Sequence, residues 1–157
     1  MISAKLLRDH SFFAIFNEAQ LKAISEIVTY EDYQQGAEIF EEGMTAEALY
    51  VLLTGRVELS YTIIPSYHPE RRKESVVGEI NPGEVFGISA LIEPHILTMT
   101  ARATQSSRVI RFEAGELRRL MKGDQEMAYV VIDQLAKSAI QRLNATRRQL
   151  ATAWEPL

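Results

Sequence analysis

The chain has 157 residues, a formal net charge of −4 and a pI near 5.4. It carries no cysteine, which excludes a disulfide, a thiolate nucleophile and a cysteine-based metal site. An acidic chain is a poor start for a duplex-binding surface, which must neutralise several phosphates, and no apolar run reaches the roughly 18 residues of a membrane span.

The N-terminal stretch "MISAKLLRDHSFFAIF" lacks an uninterrupted apolar core and a small-residue cleavage site, so it reads as mature protein in a cytoplasmic setting. Phe12 to Phe16 is a short apolar stretch expected to pack as a separate turn or helix. In "NEAQLKAISEIV", Asn17 and Gln20 make a capping-box pattern, and Leu21, Ile24 and Ile27 repeat at helical spacing. A helical N-terminus over 1–28 follows.

The stretch 29–112 reads as β-rich. "ALYVLLTGRVELSYTII" holds two β runs around Thr54-Gly55-Arg56, where glycine suits a tight turn with positive φ. Val57, Leu59 and Tyr61 alternate with Glu58 and Ser60, the period of a half-buried strand. Glycines recur at Gly36, Gly43, Gly55, Gly78, Gly83 and Gly87, spacing that fits a sandwich or barrel of short strands. "PSYHPERRKES" is a polar, basic hairpin loop, "NPGE" a turn, and "SSRVIRFE" the closing strand.

Helices return over 113–150. "AGELRRLM" is broken at Gly123, and Asp124 caps a helix running to about Leu150, roughly 26 residues or about 39 Å. Ile132, Leu135, Ala139, Leu143, Thr146 and Leu150 recur at steps of three or four. That stripe suits either a partner helix or the protein's own sandwich. Lys137, Arg142, Arg147 and Arg148 make the distal half basic, which suits either contact with nucleic acid or charges that complement the helix dipole. Neither repeat nor linker interrupts the chain, so one domain is expected.

No catalytic constellation stands out. His10, His68 and His95 are far apart and form no paired metal-ligand motif. No G-x-S-x-G marks a serine nucleophile, and Glu31, Asp32, Glu41 and Glu42 read as a solvated face. The sequence offers no enzyme, no metal site and no cofactor motif.

A binding module fits better. "YQQGAEIFEEGMTAEALYVLLTGRVELSY" resembles the strand-turn signature of the cyclic-nucleotide-binding domain family of the catabolite-activator type. Gly36, Glu38, Ile39, Phe40, Glu42, Gly43, Tyr50, Gly55 and Val57 stand where that pattern expects them. "INPGEVFGISAL" resembles the entry to the family's phosphate-binding cassette, and "LLRDHSFFAIFNEAQLKAISEIV" its N-terminal helical segment. The resemblance implies an eight-stranded antiparallel jelly roll, with N-terminal helices and a long C-terminal helix serving as dimer contact or ligand lid.

It also implies a pocket. The family's cassette reads Phe-Gly-Glu-Leu-Ala-Leu, then Arg-(Ser/Ala/Thr)-Ala. Its carboxylate accepts from a ribose hydroxyl and its guanidinium forks onto the cyclic phosphate. Here Phe86 and Gly87 match, Ile88 stands at the glutamate, and Ser89, Ala90 and Leu91 continue the frame. Leu97 falls at the arginine, with Thr98 beside it, and His95 is a nearby residue able to stand in for that charge. An anion facing Ile88 and Leu97 is desolvated without a partner, so tight cAMP or cGMP binding is not expected. Many members continue into a helix-turn-helix, whereas this sequence ends at "ATAWEPL", so direct DNA binding is not expected either. The expected function is a sensor or regulatory module acting through a homodimer or a partner protein. The alternatives are a nucleotide or other small-molecule sensor with unconventional residues, and a transcription regulator without its helix-turn-helix.

Overall fold

The computed structural model describes residues 2–155. A short helix α1 (Ala4–Arg8) starts where the Ser3 hydroxyl accepts from the Leu6 amide at 3.2 Å. A single 3-10 turn, Ser11–Phe13, carries Phe12 and Phe13 inward. Helix α2 (Glu18–Ser25) has the expected capping box: the Gln20 amide donates to Asn17 Oδ1 at 2.8 Å, and the Asn17 amide to Gln20 Oε1 at 3.0 Å. The Gln20 side-chain amide also donates to Asp124, which ties this corner to the C-terminal helices.

Eight antiparallel strands follow: β1 (Val28–Tyr33), β2 (Glu38–Phe40), β3 (Ala48–Thr54), β4 (Val57–Ile63), β5 (Lys73–Ile80), β6 (Val85–Phe86), β7 (Thr100–Ala103) and β8 (Ser107–Glu113). They form two four-stranded sheets, β1-β8-β3-β6 and β2-β7-β4-β5, the strand order of a jelly roll. Gly55, at φ 97°, turns the chain from the first sheet to the second rather than closing a hairpin. A Cβ there would lie 2.2 Å from Ser107 Oγ and 2.6 Å from the Ser106 carbonyl, so the corner admits only glycine.

Two apolar clusters explain the strand composition. Ala48, Tyr50 and Leu52 of β3 face between the sheets with Leu59, Ile80 and Phe86. Leu49 and Val51 face the opposite way, onto Phe13, Leu21, Phe112 and Leu117. Both faces of β3 are covered, which is why its sequence is a continuous apolar run rather than an alternation. Strand β4 alternates as expected only in part. Tyr61 keeps the phase of Leu59 but is 48% exposed, because it lines a cavity instead of core. Ser60, on the other face, is buried and donates to Glu74 at 2.5 Å.

Glu113 ends β8 and caps helix α3 (Ala114–Gly123) by accepting from the Gly115 and Glu116 amides, which holds its carboxyl below the usual range. Asp124 accepts from the Met127 amide at 3.0 Å and starts helix α4 (Gln125–Trp154). This helix is longer than the sequence suggested, 30 residues or about 45 Å.

Candidate functional site

The cassette turn begins at β6. Phe86 is fully buried and stacks on Tyr50 with ring centroids 5.1 Å apart. Gly87 follows in the left-handed region, φ 74°, with the Ala48 carbonyl and the Tyr50 ring each 3.1 Å from where a Cβ would stand. Glycine is therefore required there by both conformation and space. Ile88–Ala90 form one 3-10 turn in which the Ala90, Leu91 and Ile92 amides donate to the Gly87, Ile88 and Ser89 carbonyls. Those amides are committed to the turn and are not offered to an anion. Arg118 of α3 donates to the Ala90 carbonyl at 2.6 Å and fixes the turn from outside.

The expected site residues come together only in part. Gly87, Ile88, Ser89, Leu97 and Thr98 line one cavity with Phe40, Leu59, Met99 and Arg142, whereas Phe86, Ala90 and Leu91 do not line it. Its volume is about 30 Å³. That is room for a water molecule, not for a ligand needing about 300 Å³ or more. Leu97 is 6% exposed and belongs to the helix-side core. Its carbonyl accepts from the Gly43 amide and its amide donates to the Met44 carbonyl, both at 2.8 Å. His95 does not line this cavity; its Nδ1 lies 3.1 Å from the Ser89 carbonyl. Arg102 faces Glu38 and Glu74 instead of the cassette.

A much larger cavity, about 560 Å³, lies between strands β4 and β5 and helix α4. Leu59, Tyr61, Val77, Met99, Arg142 and Gln149 are among its walls. Leu59, Met99 and Arg142 border both cavities. Arg142 had read as one of several surface cations at a helix end; it points inward instead. Its Nη2 donates to the Val85 carbonyl, which also accepts from Ser138 Oγ at 3.3 Å. Its Nε is buried without a hydrogen-bond partner, and burial holds its pKa below the usual guanidinium value. The spacing of Met127, Val131, Leu135, Ser138 and Arg142, by steps of four and three, was the signal available in sequence: it is the face of α4 turned to the body.

That face changes the stripe expected on α4. Leu135 is 4% exposed and packs in the protein's own core. Ile132, Ala139, Leu143, Thr146 and Leu150 are exposed, and Tyr129, Ala136 and Ala153 are exposed in register with them. Together these eight positions step by three and four along the whole helix, a heptad seam displaced from the expected one at Leu135.

Among the described residues no helix is long and apolar enough to cross a membrane, and no group of three or more His, Asp or Glu is placed to hold a metal ion.

A jelly roll with a glycine-anchored turn after β6 and a long helix behind it defines a class of regulatory domain. The family model of the cyclic nucleotide-binding domain matches residues 30–124, and the chain belongs to that family. A solved protein of Geobacter metallireducens GS-15, assigned to cyclic nucleotide binding, is 35% identical with a TM-score of 0.77, over 91% of this chain and 99% of that one. The CRP-like cAMP-activated global transcriptional regulator of Mycobacterium tuberculosis is 22% identical over 94% of this chain, which spans 61% of the regulator's length. A cGMP-dependent protein kinase of Eimeria tenella is 30% identical over 62% of this chain, which spans 9% of the kinase.

Proposed function

We propose that this chain is a non-enzymatic regulatory module, acting as one unit in the cytoplasm and signalling by pairing α4 with the same helix of a second copy. The exposed heptad seam from Tyr129 to Ala153 carries this reading. An amphipathic helix of this length with an apolar stripe in water is stabilised by covering that stripe. The alanines and Thr146 allow close approach of two helices, and Ile132, Leu143 and Leu150 supply the apolar contact. Cyclic AMP and cyclic GMP are not tight ligands of its cassette. The positions that read ribose and phosphate in the family hold Ile88 and Leu97, and the space beside them is about 30 Å³. Direct DNA contact is not part of the proposal; the regulator-like relative supports a role upstream of such an output.

Sedimentation velocity tests the pairing. A dimer is expected for the parent chain at micromolar concentration, and Ile132→Glu with Leu143→Glu converts it to a folded monomer. A parent that already sediments as a monomer overturns the reading. Leu135 is left intact in this test because it belongs to the protein's own core.

A further inference from the structure

The loop that joins β4 to β5 takes no part in the core or in the cassette. It is polar and basic in sequence, yet its start carries apolar side chains outward: Ile63 is 49% exposed, Ile64 57% and Tyr67 92%. The fold itself leaves this patch uncovered. Residues 66–74 are exposed throughout and include Arg71, Arg72 and Lys73. Lys73 pairs in register with Ile63, which sets a cation beside an apolar side chain on one face of the hairpin.

The loop holds its shape by its own bonds. The His68 amide donates to the Pro65 carbonyl at 3.2 Å, and the Arg71 amide to the His68 carbonyl at 2.9 Å. Pro65 and Pro69 fix φ on either side of Tyr67, so presenting that ring costs little further ordering. Among the described residues, no hydrogen bond or ion pair ties 64–72 to the rest of the molecule. Arg72 borders a polar hollow with Glu38, Glu41 and Glu42, but neither it nor Arg71 nor Lys73 reaches a carboxylate within 4.0 Å. The carboxylates nearby are engaged: Glu70 lies 3.1 Å from His68 Nδ1, and Glu74 accepts from Ser60 and Arg102. The tip is therefore a positive, apolar spot on a chain of net charge −4.

We propose that this hairpin tip docks the protein on an anionic lipid surface, with Ile64 and Tyr67 entering the boundary between headgroups and acyl chains and Arg71 and Lys73 facing the lipid charges. A tyrosine suits that boundary because one end of its ring is apolar and the other polar. Lysine and arginine are drawn to an anionic leaflet over about a Debye length. Nucleic acid would use the same cations, but its phosphate backbone offers nothing to two aliphatic side chains, whereas a lipid surface takes both. The inference goes beyond the reading above and does not depend on how α4 pairs.

The test is co-sedimentation of the full chain with phosphatidylcholine vesicles, alone or with about one-third phosphatidylserine. Binding to the anionic vesicles should be saturable, at least ~10-fold tighter than to the neutral ones, and weaker as salt is raised. In Tyr67→Trp, with Trp154→Phe removing the native indole, emission should shift to the blue on binding and be quenched by brominated acyl chains. Ile64→Ser with Tyr67→Ser, and separately Arg71→Gln with Lys73→Gln, should each weaken binding by ~10-fold or more. All four side chains are exposed, so these variants leave the core intact. No saturable binding to anionic vesicles, equal binding to both compositions, an unquenched emission, or an unchanged affinity in either double variant overturns the proposal. A parent that binds a duplex oligonucleotide but no vesicle also overturns it and gives the cations to nucleic acid. A parent that binds no vesicle, and loses its dimer in Ile64→Ser with Tyr67→Ser, overturns it and gives the patch to a second copy.

Discussion

The inner face of the second sheet meets two different environments. At the cassette turn it is narrow: Phe86, Tyr50 and Phe40 crowd the space, and about 30 Å³ remains. A few residues along, beside α4, it opens into about 560 Å³ with Arg142 standing between. The backbone of the turn survives because Gly87 and the apolar contacts around it specify shape. The chemistry that reads a ligand is specified by two other positions, and those hold Ile88 and Leu97. Shape and charge are separable in this fold, and on the proposed reading only the shape is kept at the cassette.

The comparison yields unequal sensitivities. Phe86→Ala removes a fully buried, stacked ring and should cost about 3–5 kcal/mol. Tyr61→Ala, at the wall of the open cavity and 48% exposed, should cost under about 1 kcal/mol. Urea unfolding of the two variants measures the contrast, and equal losses would mean that the cavity wall is as tightly packed as the turn. An effect of opposite sign is expected for Arg142→Met. It replaces a partly buried cation with no ion-pair partner by an apolar chain of similar length and should raise stability by about 1 kcal/mol in the absence of any anion. A destabilisation of that size or more would show that the bond to Val85 outweighs the buried charge.

Much of the fold was legible. The capping box at Asn17, the turn at Gly55 and the stop at Gly123 each rest on local chemistry that a sequence carries on its face. Helix α1 and strands β2 and β6 were not delimited, since five, three and two residues hold too little periodicity to register. The candidate pocket was legible only as Ile88 and Leu97 at the positions where the resemblance expects charges. Its small size depends on how Leu97, Phe40 and Met99 meet across three segments, which spacing along the chain does not encode. The exposed stripe departs from the expected one at Leu135 because a step from Leu135 to Ala136 turns a helix by about 100°. Which of the two faces inward is decided by the body that α4 packs on. The same ambiguity hid Arg142 among cations expected at a helix end.

The most direct measurement is a titration with cyclic AMP, followed through the backbone amides of Gly87, Ser89 and Thr98. The account predicts that these signals stay in place up to millimolar ligand, whatever happens near Arg142. Saturable shifts of the three amides at micromolar ligand would show an open, functional cassette and contradict it.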